Sequence, residues 1–374
     1  MIFKEESLKI KAFRFDFQKR NELDCKEERR KNMKKHVVSL LLVSALCIGN
    51  LAGCGAKPAA SGDAAPAEVV TIKVGDNWAE THPMAMAIDN VFKKQVEEKS
   101  GGSIKVDVYH SGTLGNETEL WDGVRNGSVE VAVIGTCMNQ EFTTMLISDW
   151  PFLYRDIEHA KKVWTGAIAE ELNGKFHEKF PETYILGWGP NSARTFTSNK
   201  KLESVDDFKG QKFRMPANPI HVGIAENLGA SAQVIPLNEL FSSLETGVVD
   251  GQDNGMVTVK SEALYEVQKY LYETNHIIAT LEIITNAKFM DSLSEEQQQI
   301  IKDAAKAASE QAWTDYIASV DADRQFLIDN GVTVTPCTEE DKALIIEKIQ
   351  PTLDKLYAEN DWAKELVEKI QAVQ

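Results

Sequence analysis

The feature that most limits the fold is a helical pattern of unusual length near the carboxyl terminus. Ser294 and Gln297 have the spacing of a capping box, and apolar or small residues then recur at helical spacing to about Leu327. At 1.5 Å per residue such a helix is about 50 Å long, which exceeds the size of one ordinary lobe. The pattern therefore predicts a helix that spans two lobes.

Upstream of this helix, from Val69 onward, strand and helix patterns alternate. One helix contains Ile88 and Phe92 at helical spacing and is closed by glycines, and a second contains Leu120 and Val124. Strands are predicted at 70–74, 104–109, 129–134, 183–188, 211–215, 231–236 and 247–251. Repeated βα units of this kind predict an α/β fold in which helices cover both faces of the sheets. A chain of 374 residues is long enough for two domains or one large two-lobed domain.

The amino-terminal region is predicted to be a targeting segment and not part of the folded domain. Residues 33–53 contain a basic start at Met33, a short apolar run and the beginning of "LAGC", which resembles a bacterial lipobox. The run is too short for a membrane span, so we interpret it as a lipoprotein signal peptide that is cleaved before Cys54. The alternative is a buried helix that contains a cysteine. Residues 1–32 are charged, and we expect Met33 to be the true start.

Residues 54–68 are small and polar, contain proline and lack apolar bulk, so they cannot form a core. We interpret them as a lipidated cysteine followed by a flexible tether. Together with the signal peptide, they predict a folded domain held at the outer face of the cytoplasmic membrane, at the cell surface or in a periplasm.

Charge is distributed unevenly along the chain. Residues 1–54 have a net charge of +5, and the remaining residues have a net charge of −21. A body this acidic repels phosphate backbones and anionic lipid headgroups. Nucleic acid is therefore excluded as a partner.

The cysteines lack the spacing of a metal site or a redox motif, and they lie at positions 25, 47, 54, 137 and 337. Of these, Cys137 and Cys337 fall in the predicted folded body. Bridging would require a specific short Cα separation between residues 200 positions apart, so free thiols are favoured over a disulfide.

Motifs for nucleotide, metal or covalent chemistry are missing from the sequence. "GWGPNS" stops short of a dinucleotide-binding pattern, and "NGKF" lacks the loop and hydroxyl of a P-loop. "DGQDNG" at 250–255 misses the acidic spacing of a calcium loop. His82 precedes a proline at a helix start, where capping or packing is favoured over metal binding. Since there is also no nucleophile elbow, we expect neither a metal or cofactor nor an enzyme.

Two arginines stand out against this background. Arg194 lies in "NSARTFTSNK" and Arg214 lies in "FKGQKFRMPANP", each beside what is predicted to be a strand end. A surface position is the ordinary interpretation of a single arginine. However, polar residues surround Arg194, and two prolines stiffen the turn after Arg214. A guanidinium offers a planar pair of donors that matches a carboxylate, so two of them at strand ends predict an anion receptor.

From about Val69 to the carboxyl terminus, the chain resembles the substrate-binding proteins of TRAP (tripartite ATP-independent periplasmic) transporters, of the dicarboxylate-binding type. The matching phrases keep the order and spacing of that family, and they are "EEKSGGSIKVDVYHSGTLG", "RTFTSNK", "FKGQKFRMP", "LNELFSSLETGVVDGQDN" and "LYEVQKYL". The resemblance implies a two-lobed periplasmic-binding-protein clamshell with a long lobe-bridging helix. It places lobe I at 69–191 and 279–318, and lobe II at 192–278 and 319–374.

The resemblance also implies roles for individual residues. Arg214 matches the arginine that pairs with the substrate carboxylate, and Arg194 matches a second arginine that supports the same end of the ligand. Asn254 matches an asparagine that hydrogen-bonds to the carboxylate or to its arginine. This chain has Gly255 where the family usually has proline, and the loop after Asn254 is expected to be looser.

On the other side of the implied pocket, Asn77 and Glu117 match lining positions of the first lobe, and Trp188 is a candidate aromatic wall. Gly135 stands where sialic-acid-binding members carry an acidic residue, which argues against sialic acid.

The implied function is capture of a small organic acid and its delivery to the membrane subunits of a TRAP transporter by a monomeric, lipid-anchored protein. The acid is either a C4-dicarboxylate or a sugar acid such as a uronate, and Glu117 and Asn77 favour the sugar acid slightly. Two alternatives stay open, namely a ligand-sensing module for a receptor and an extracellular enzyme on the same scaffold.

Overall fold

Residues 69–374, the part of the chain that the computed structural model describes, contain a mixed sheet of nine strands. The strands are β1 (Val70–Gly75), β2 (Ile104–Tyr109), β3 (Val131–Ile134), β4 (Thr183–Ser198), β5 (Lys212–Met215), β6 (Ser231–Val234), β7 (Gly251–Gly255), β8 (Tyr270–Asn286) and β9 (Thr333–Pro336). Their order across the sheet is β2-β1-β3-β8-β4-β7-β5-β6, and β9 pairs with β8.

The helices alternate with these strands. They are α1 (Pro83–Ala87), α2 (Lys94–Lys99), α3 (Glu117–Asn126), α4 (Ile157–Trp164), α5 (Ala167–Lys179), α6 (Pro219–Asn227), α7 (Leu240–Glu245), α8 (Met256–Ser261), α9 (Ala287–Asp291), α10 (Glu295–Asp329), α11 (Glu339–Glu359) and α12 (Ala363–Gln371). A π-helical stretch over Ile88–Lys93 joins α1 to α2. Within residues 69–374, every helix is too short or too polar to span a lipid bilayer.

Two long antiparallel strands, β4 and β8, join the parts of the sheet. Their pairing runs from Thr183 opposite Asn286 to Ser198 opposite Tyr270, with register shifts that interrupt it at three places. One end of the pair continues into β3, β1 and β2, and the other end continues into β7, β5 and β6. The predicted lobe boundaries fall in the middle, where Ser192 pairs with Ala279. Those boundaries remain a prediction.

The long helix α10 contacts all three hydrophobic clusters of the core. Ile301 and Ala308 belong to a cluster with β1 and β2, Trp313 belongs to the largest cluster, and Leu327 belongs to a third cluster with α7 and α8. Glycine at position 187 of β4 allows close approach, because a Cβ there would overlap the Ser309 side chain of α10. The α/β fold and its long carboxyl-terminal helix are therefore confirmed.

Several local predictions are also confirmed. Ser294 and Gln297 form the capping box of α10, and the His82 side chain caps α1 by accepting from the Met84 N–H over 3.2 Å. Both cysteines of the described residues are free thiols. The predictions for 1–32, 33–53 and 54–68 lie outside the described residues.

Two strand predictions were incorrect or incomplete. The strand predicted at 247–251 is instead a helix end, because Gly247 adopts a φ of 73° and the N–H groups of Val248 and Val249 donate to the Ser243 carbonyl of α7. Strand β7 begins only at Gly251. The longest strand, β8, was not predicted at all.

Candidate functional site

The arginines meet in a narrow cavity between β4, β5 and β7, which we call the arginine cleft. It is lined by Trp78, Glu117, Asn191, Arg194, Arg214, Pro216, Leu237 and Asn254. Four of the six predicted binding residues therefore lie together. Both arginines lie within strands and near their carboxyl ends, with Arg194 four residues before the end of β4 and Arg214 next to the last residue of β5.

Arg214 is the side chain in this cleft whose charge is least compensated. It is only 3% exposed, and its Nε donates to the Ile235 carbonyl over 2.7 Å. It forms no ion pair within residues 69–374. Burial, together with the nearby charge of Arg194, lowers the pKa of Arg214 to about 10, against the opposing effect of Glu117 and Asp253. A buried cation in this state favours an incoming anion.

Arg194 is compensated within the protein. Its Nε donates to Oδ1 of Asp253 over 2.9 Å, and its Nη2 donates to the main-chain oxygen of the same residue. Both side chains are buried. Burial would raise the pKa of Asp253, but the charge of Arg194, with His276 and His221, holds that pKa well below its usual range. Asp253 is a site residue that the sequence reasoning missed, although it precedes Asn254 directly.

Two histidines complete the surroundings of Asp253. His221 Nδ1 lies 2.6 Å from Asp253 Oδ2, and His276 Nε2 lies 3.6 Å from Oδ1. Burial and the charge of Arg194 would lower the pKa of His221, but Asp253 and Asp149 raise it above its ordinary value. Burial lowers the pKa of His276 despite Asp253. Of the two histidines, His221 is therefore the one whose pKa is shifted in favour of the protonated form.

Amide groups supply hydrogen-bonding capacity beside the arginines. Asn254 Nδ2 donates to Gln252 Oε1 over 2.7 Å, and Gln252 in turn donates to Thr197 Oγ1 over 2.9 Å. This chain orients the amide of Asn254. Asn191 Oδ1 is buried and has no hydrogen-bond partner among the described residues. A ligand hydroxyl could donate to it.

Glu117 brings a carboxylate to the wall of the cleft from the first turn of α3. Its Oε1 accepts from the Gly135 N–H over 2.8 Å. Burial raises the pKa of Glu117, and the Gly135 N–H and Arg214 oppose that shift. A Cβ at position 135 would lie 3.1 Å from Leu281 and 3.3 Å from Glu117 Oε1. Glycine therefore keeps this wall close to the strand.

Two predicted residues do not line the cleft. Trp188 is 2% exposed, stacks on Trp164 with ring centroids 4.4 Å apart and donates to Asn173 Oδ1. Trp188 is thus a core residue, and Trp78 is the aromatic side chain that lines the cleft instead. Asn77 is buried next to Trp78, where its Nδ2 donates to the Gly115 carbonyl over 3.2 Å.

Another cavity of the described residues is larger than the arginine cleft. A cavity of about 640 Å³ borders α4, α10 and α11, whereas the cleft has room for only about 20 Å³. The guanidinium of the large cavity, Arg155, already donates to the carbonyls of Gln371 and Val373. We place the site at the cleft because a buried cation without an ion-pair partner lies there. A sugar-sized ligand requires its walls to move apart.

Comparison with known proteins shows similar sequences and similar folds. Residues 74–360 match the family model for bacterial extracellular solute-binding proteins, family 7. An uncharacterised protein of Haemophilus influenzae is 33% identical over 299 residues, which cover 80% of this chain and 90% of that protein.

Two solved structures share the fold closely. A TRAP periplasmic solute-binding protein from Haemophilus influenzae with bound L-gulonate has a TM-score of 0.78 at 32% identity, covering 82% of this chain and 100% of that one. A sugar acid binding protein from Advenella mimigardefordensis in complex with galactonate has a TM-score of 0.77 at 28% identity, covering 82% and 98%. The family match spans more than half of the chain, and the chain therefore belongs to the bacterial extracellular solute-binding proteins of family 7, the DctP family of TRAP transporters.

Proposed function

We propose that this protein captures a sugar acid in the arginine cleft, outside the cytoplasmic membrane, and delivers it to the membrane permease of a TRAP transporter. The observation that carries the proposal is Arg214, a buried guanidinium with no ion pair in the described chain. The solved relatives with gulonate and galactonate support the choice of ligand class.

The ligand carboxylate pairs with Arg214 in this proposal. Its remaining lone pairs need donors, because a buried ion pair is favourable only when its hydrogen bonds are filled. Asn254 lines the same cleft and supplies an amide. Arg194 supports this end of the cleft without pairing directly with the carboxylate, because its Nε is already bound to Asp253. Micromolar affinity corresponds to about 8 kcal/mol, and charged hydrogen bonds of about 1.5–3 kcal/mol each make a large share of it plausible.

The other walls favour hydroxyl groups over a second carboxylate. Glu117 and the Asn191 carbonyl oxygen are acceptors. Among the described residues lining the cleft, the second cation, Arg194, is occupied by Asp253. A C4-dicarboxylate would bring its far charge towards Glu117 without compensation. We therefore favour a monocarboxylate with several hydroxyls.

The proposal includes opening of the cleft between two lobes, at 69–191 with 279–318 and at 192–278 with 319–374. The register shifts in β4 and β8 lie near these boundaries and offer places for bending. Closure around the ligand would exclude water and strengthen the ion pair to Arg214. Binding occurs without turnover.

The proposed delivery to the permease is supported by the family to which the chain belongs and by the predicted lipoprotein signal peptide. Cys54 carries the lipid anchor in this proposal, and the tether at 54–68 allows the folded part to move above the membrane. The protein acts as a monomer.

The test is a panel of acids measured by differential scanning fluorimetry and calorimetry. L-gulonate, D-galactonate, D-glucuronate and D-galacturonate are compared with succinate and malate. We expect a sugar acid to raise the melting temperature of the wild type and not that of Arg214→Ala. Arg155→Ala is the matched control, because it removes the guanidinium of the large cavity and should keep the shift. An equal shift in Arg214→Ala, or a loss in Arg155→Ala, contradicts the proposal.

A further inference from the structure

The counter-ion of Arg194 is held from two sides. Asp253 accepts from Arg194 through Oδ1 and contacts His221 through Oδ2, at 2.9 and 2.6 Å. These contacts fix the plane of the carboxylate, and the carboxylate fixes the guanidinium. The orientation of Arg194 in the cleft therefore depends on His221.

The second nitrogen of His221 faces another buried carboxylate. His221 Nε2 lies 3.4 Å from Asp149 Oδ1, which is an ion-pair distance without hydrogen-bond geometry. Neither atom has a hydrogen-bond partner among the described residues. Asp149 Oδ2 is occupied, because it accepts from Asn218 over 2.9 Å and from Asn139 over 3.2 Å. Two facing groups with unused capacity thus lie one small displacement from a hydrogen bond.

This contact joins parts of the chain that are distant in sequence. Asp149 ends the 3-10 segment Thr143–Asp149 in predicted lobe I, and His221 lies on α6 in predicted lobe II. Gln140 of the same side donates to the Ala217 carbonyl over 3.0 Å. Ala217 follows Pro216, which lines the cleft, and precedes Asn218, which donates to Asp149. The segment that follows Arg214 therefore contacts predicted lobe I at several points.

We propose that His221 and Asp149 are positioning residues for ligand binding, which couple closure of the cleft to the seating of Arg194. The inference rests on the proposed capture of an acid in that cleft. When the two parts close on the ligand, the His221 Nε2–H donates to Asp149 Oδ1. The imidazole then bridges two carboxylates, and Asp253 and Arg194 are locked in place. The charged and titratable groups around His221 are Asp149, Asp253, Arg194 and His276.

The test uses two nearly isosteric variants and one control. Asp149→Asn and His221→Gln are expected to weaken L-gulonate binding about ten-fold, mainly through faster dissociation measured by stopped-flow fluorescence. His159→Gln is the control, since His159 is also buried but contacts the Ile370 carbonyl. It should lower stability and leave the dissociation rate unchanged. Unchanged gulonate kinetics in both test variants overturn the inference and leave the proposed function standing.

A ligand-free measurement separates the two proposals. In NMR spectra of the free protein, the Arg194 Nε–H should exchange slowly in the wild type and in His159→Gln, and faster in His221→Gln. In Asp149→Asn the ring nitrogen resonances of His221 should move. If L-gulonate does not bind the wild type, the proposed ligand is wrong. The Arg194 exchange rate and the His221 resonances then still test whether His221 and Asp149 position Arg194. Identical Arg194 exchange in all variants, together with unchanged His221 resonances in Asp149→Asn, overturns it.

Discussion

The Nε atom of Arg194 lies 2.9 Å from Oδ1 of Asp253, and both side chains are buried. Because of this ion pair, the two arginines of the cleft differ in how far their charge is compensated. Arg194 is neutralised inside the protein, whereas Arg214 has no such partner among the described residues. The proposed function therefore assigns the ligand carboxylate to the uncompensated cation, Arg214, and a supporting position to Arg194.

The first prediction compares the stability of the ligand-free protein after removal of each arginine. Arg194→Met leaves Asp253 buried without its principal cation, which should cost about 3–5 kcal/mol of unfolding free energy. Arg214→Met removes a buried charge and one hydrogen bond to Ile235, so its effect should stay within about 1 kcal/mol. Urea unfolding followed by circular dichroism measures both. Equal destabilisation would show that the two arginines share one structural role.

The second prediction concerns the geometry of Arg214 recognition. Arg214→Lys keeps the charge and loses the planar pair of donors, so the affinity for the bound acid should fall at least about ten-fold. Arg214→Ala should abolish measurable binding. Calorimetry of both variants tests this. Wild-type affinity in the lysine variant would mean that charge alone, without the fork geometry, holds the carboxylate.

The third prediction uses tryptophan fluorescence to separate the cleft from the core. Trp78 lines the cleft and Trp188 is stacked on Trp164. In Trp78→Phe, the fluorescence change on ligand addition should shrink and the affinity should fall. In Trp188→Phe, loss of the hydrogen bond to Asn173 should cost about 1 kcal/mol of stability, and the ligand response should persist. A fluorescence response that shrinks in Trp188→Phe and persists in Trp78→Phe would show that Trp188, and not Trp78, lies in the binding site.

The fourth prediction is a loss of stability at alkaline pH. His110 contacts Asp76 at 2.6 Å and Asp89 at 3.1 Å. Burial alone would lower its pKa, but Asp76 and then Asp89 outweigh burial and raise the pKa to about 9. Because the folded pKa exceeds the unfolded value of about 6.5, the stabilisation is complete below that value. The contribution of His110 to the free energy of unfolding is lost as the pH rises through about 9, and this loss is at most about 3 kcal/mol.

Urea unfolding at pH 6, 7.5 and 9.5 measures this loss. His110→Asn should be less stable than the wild type at pH 6 and nearly equal to it at pH 9.5. Asp76 Oδ1 also accepts from the Trp78 N–H over 3.0 Å, so the same variant should weaken ligand binding slightly. A constant difference between the two proteins at all three pH values would contradict the assignment of the proton to His110.

The fifth prediction concerns the lipid anchor. The mature protein should begin at a diacylglyceryl-modified Cys54 and partition into the detergent phase of Triton X-114. Cys54→Ser should move it to the aqueous phase. Mass spectrometry of the native protein decides, and peptides from residues 1–32 would contradict Met33 as the start.

The sequence was sufficient to predict features that depend on local chemistry. The capping box at Ser294 and the small residues that follow it specify α10 almost to its bounds. Strand β2 occupies the predicted range, because its apolar and polar residues alternate without interruption. The choice of Arg214 and Arg194 also came from local context, namely polar neighbours and prolines next to a guanidinium.

Features that depend on register and burial could not be predicted in the same way. Strand β8 contains buried polar residues such as Thr280 and Glu282, and Asn275 adopts a φ of 45°, so its alternation is hidden. Trp188 was assigned to the wrong side, because register shifts on both sides of it break the two-residue period of β4. Asp253 was considered only within the poor match to a calcium loop at 250–255, and only the fold brings Arg194 to it.

The passage of β4 and β8 through the whole sheet has a consequence for how the molecule melts. Strand β4 keeps Ile185 and Phe196, near its two ends, in the same hydrophobic cluster, and β8 contributes Tyr272 to that cluster and Ile283 to the cluster of β1 and β2. Neither half of the sheet therefore contains a complete set of strands. If the chain were cut between Ser192 and Ala193, each fragment would expose unpaired strand edges and aggregate. The two halves should accordingly lose their structure together, in a single cooperative heat-absorption peak, however freely they bend about their shared middle.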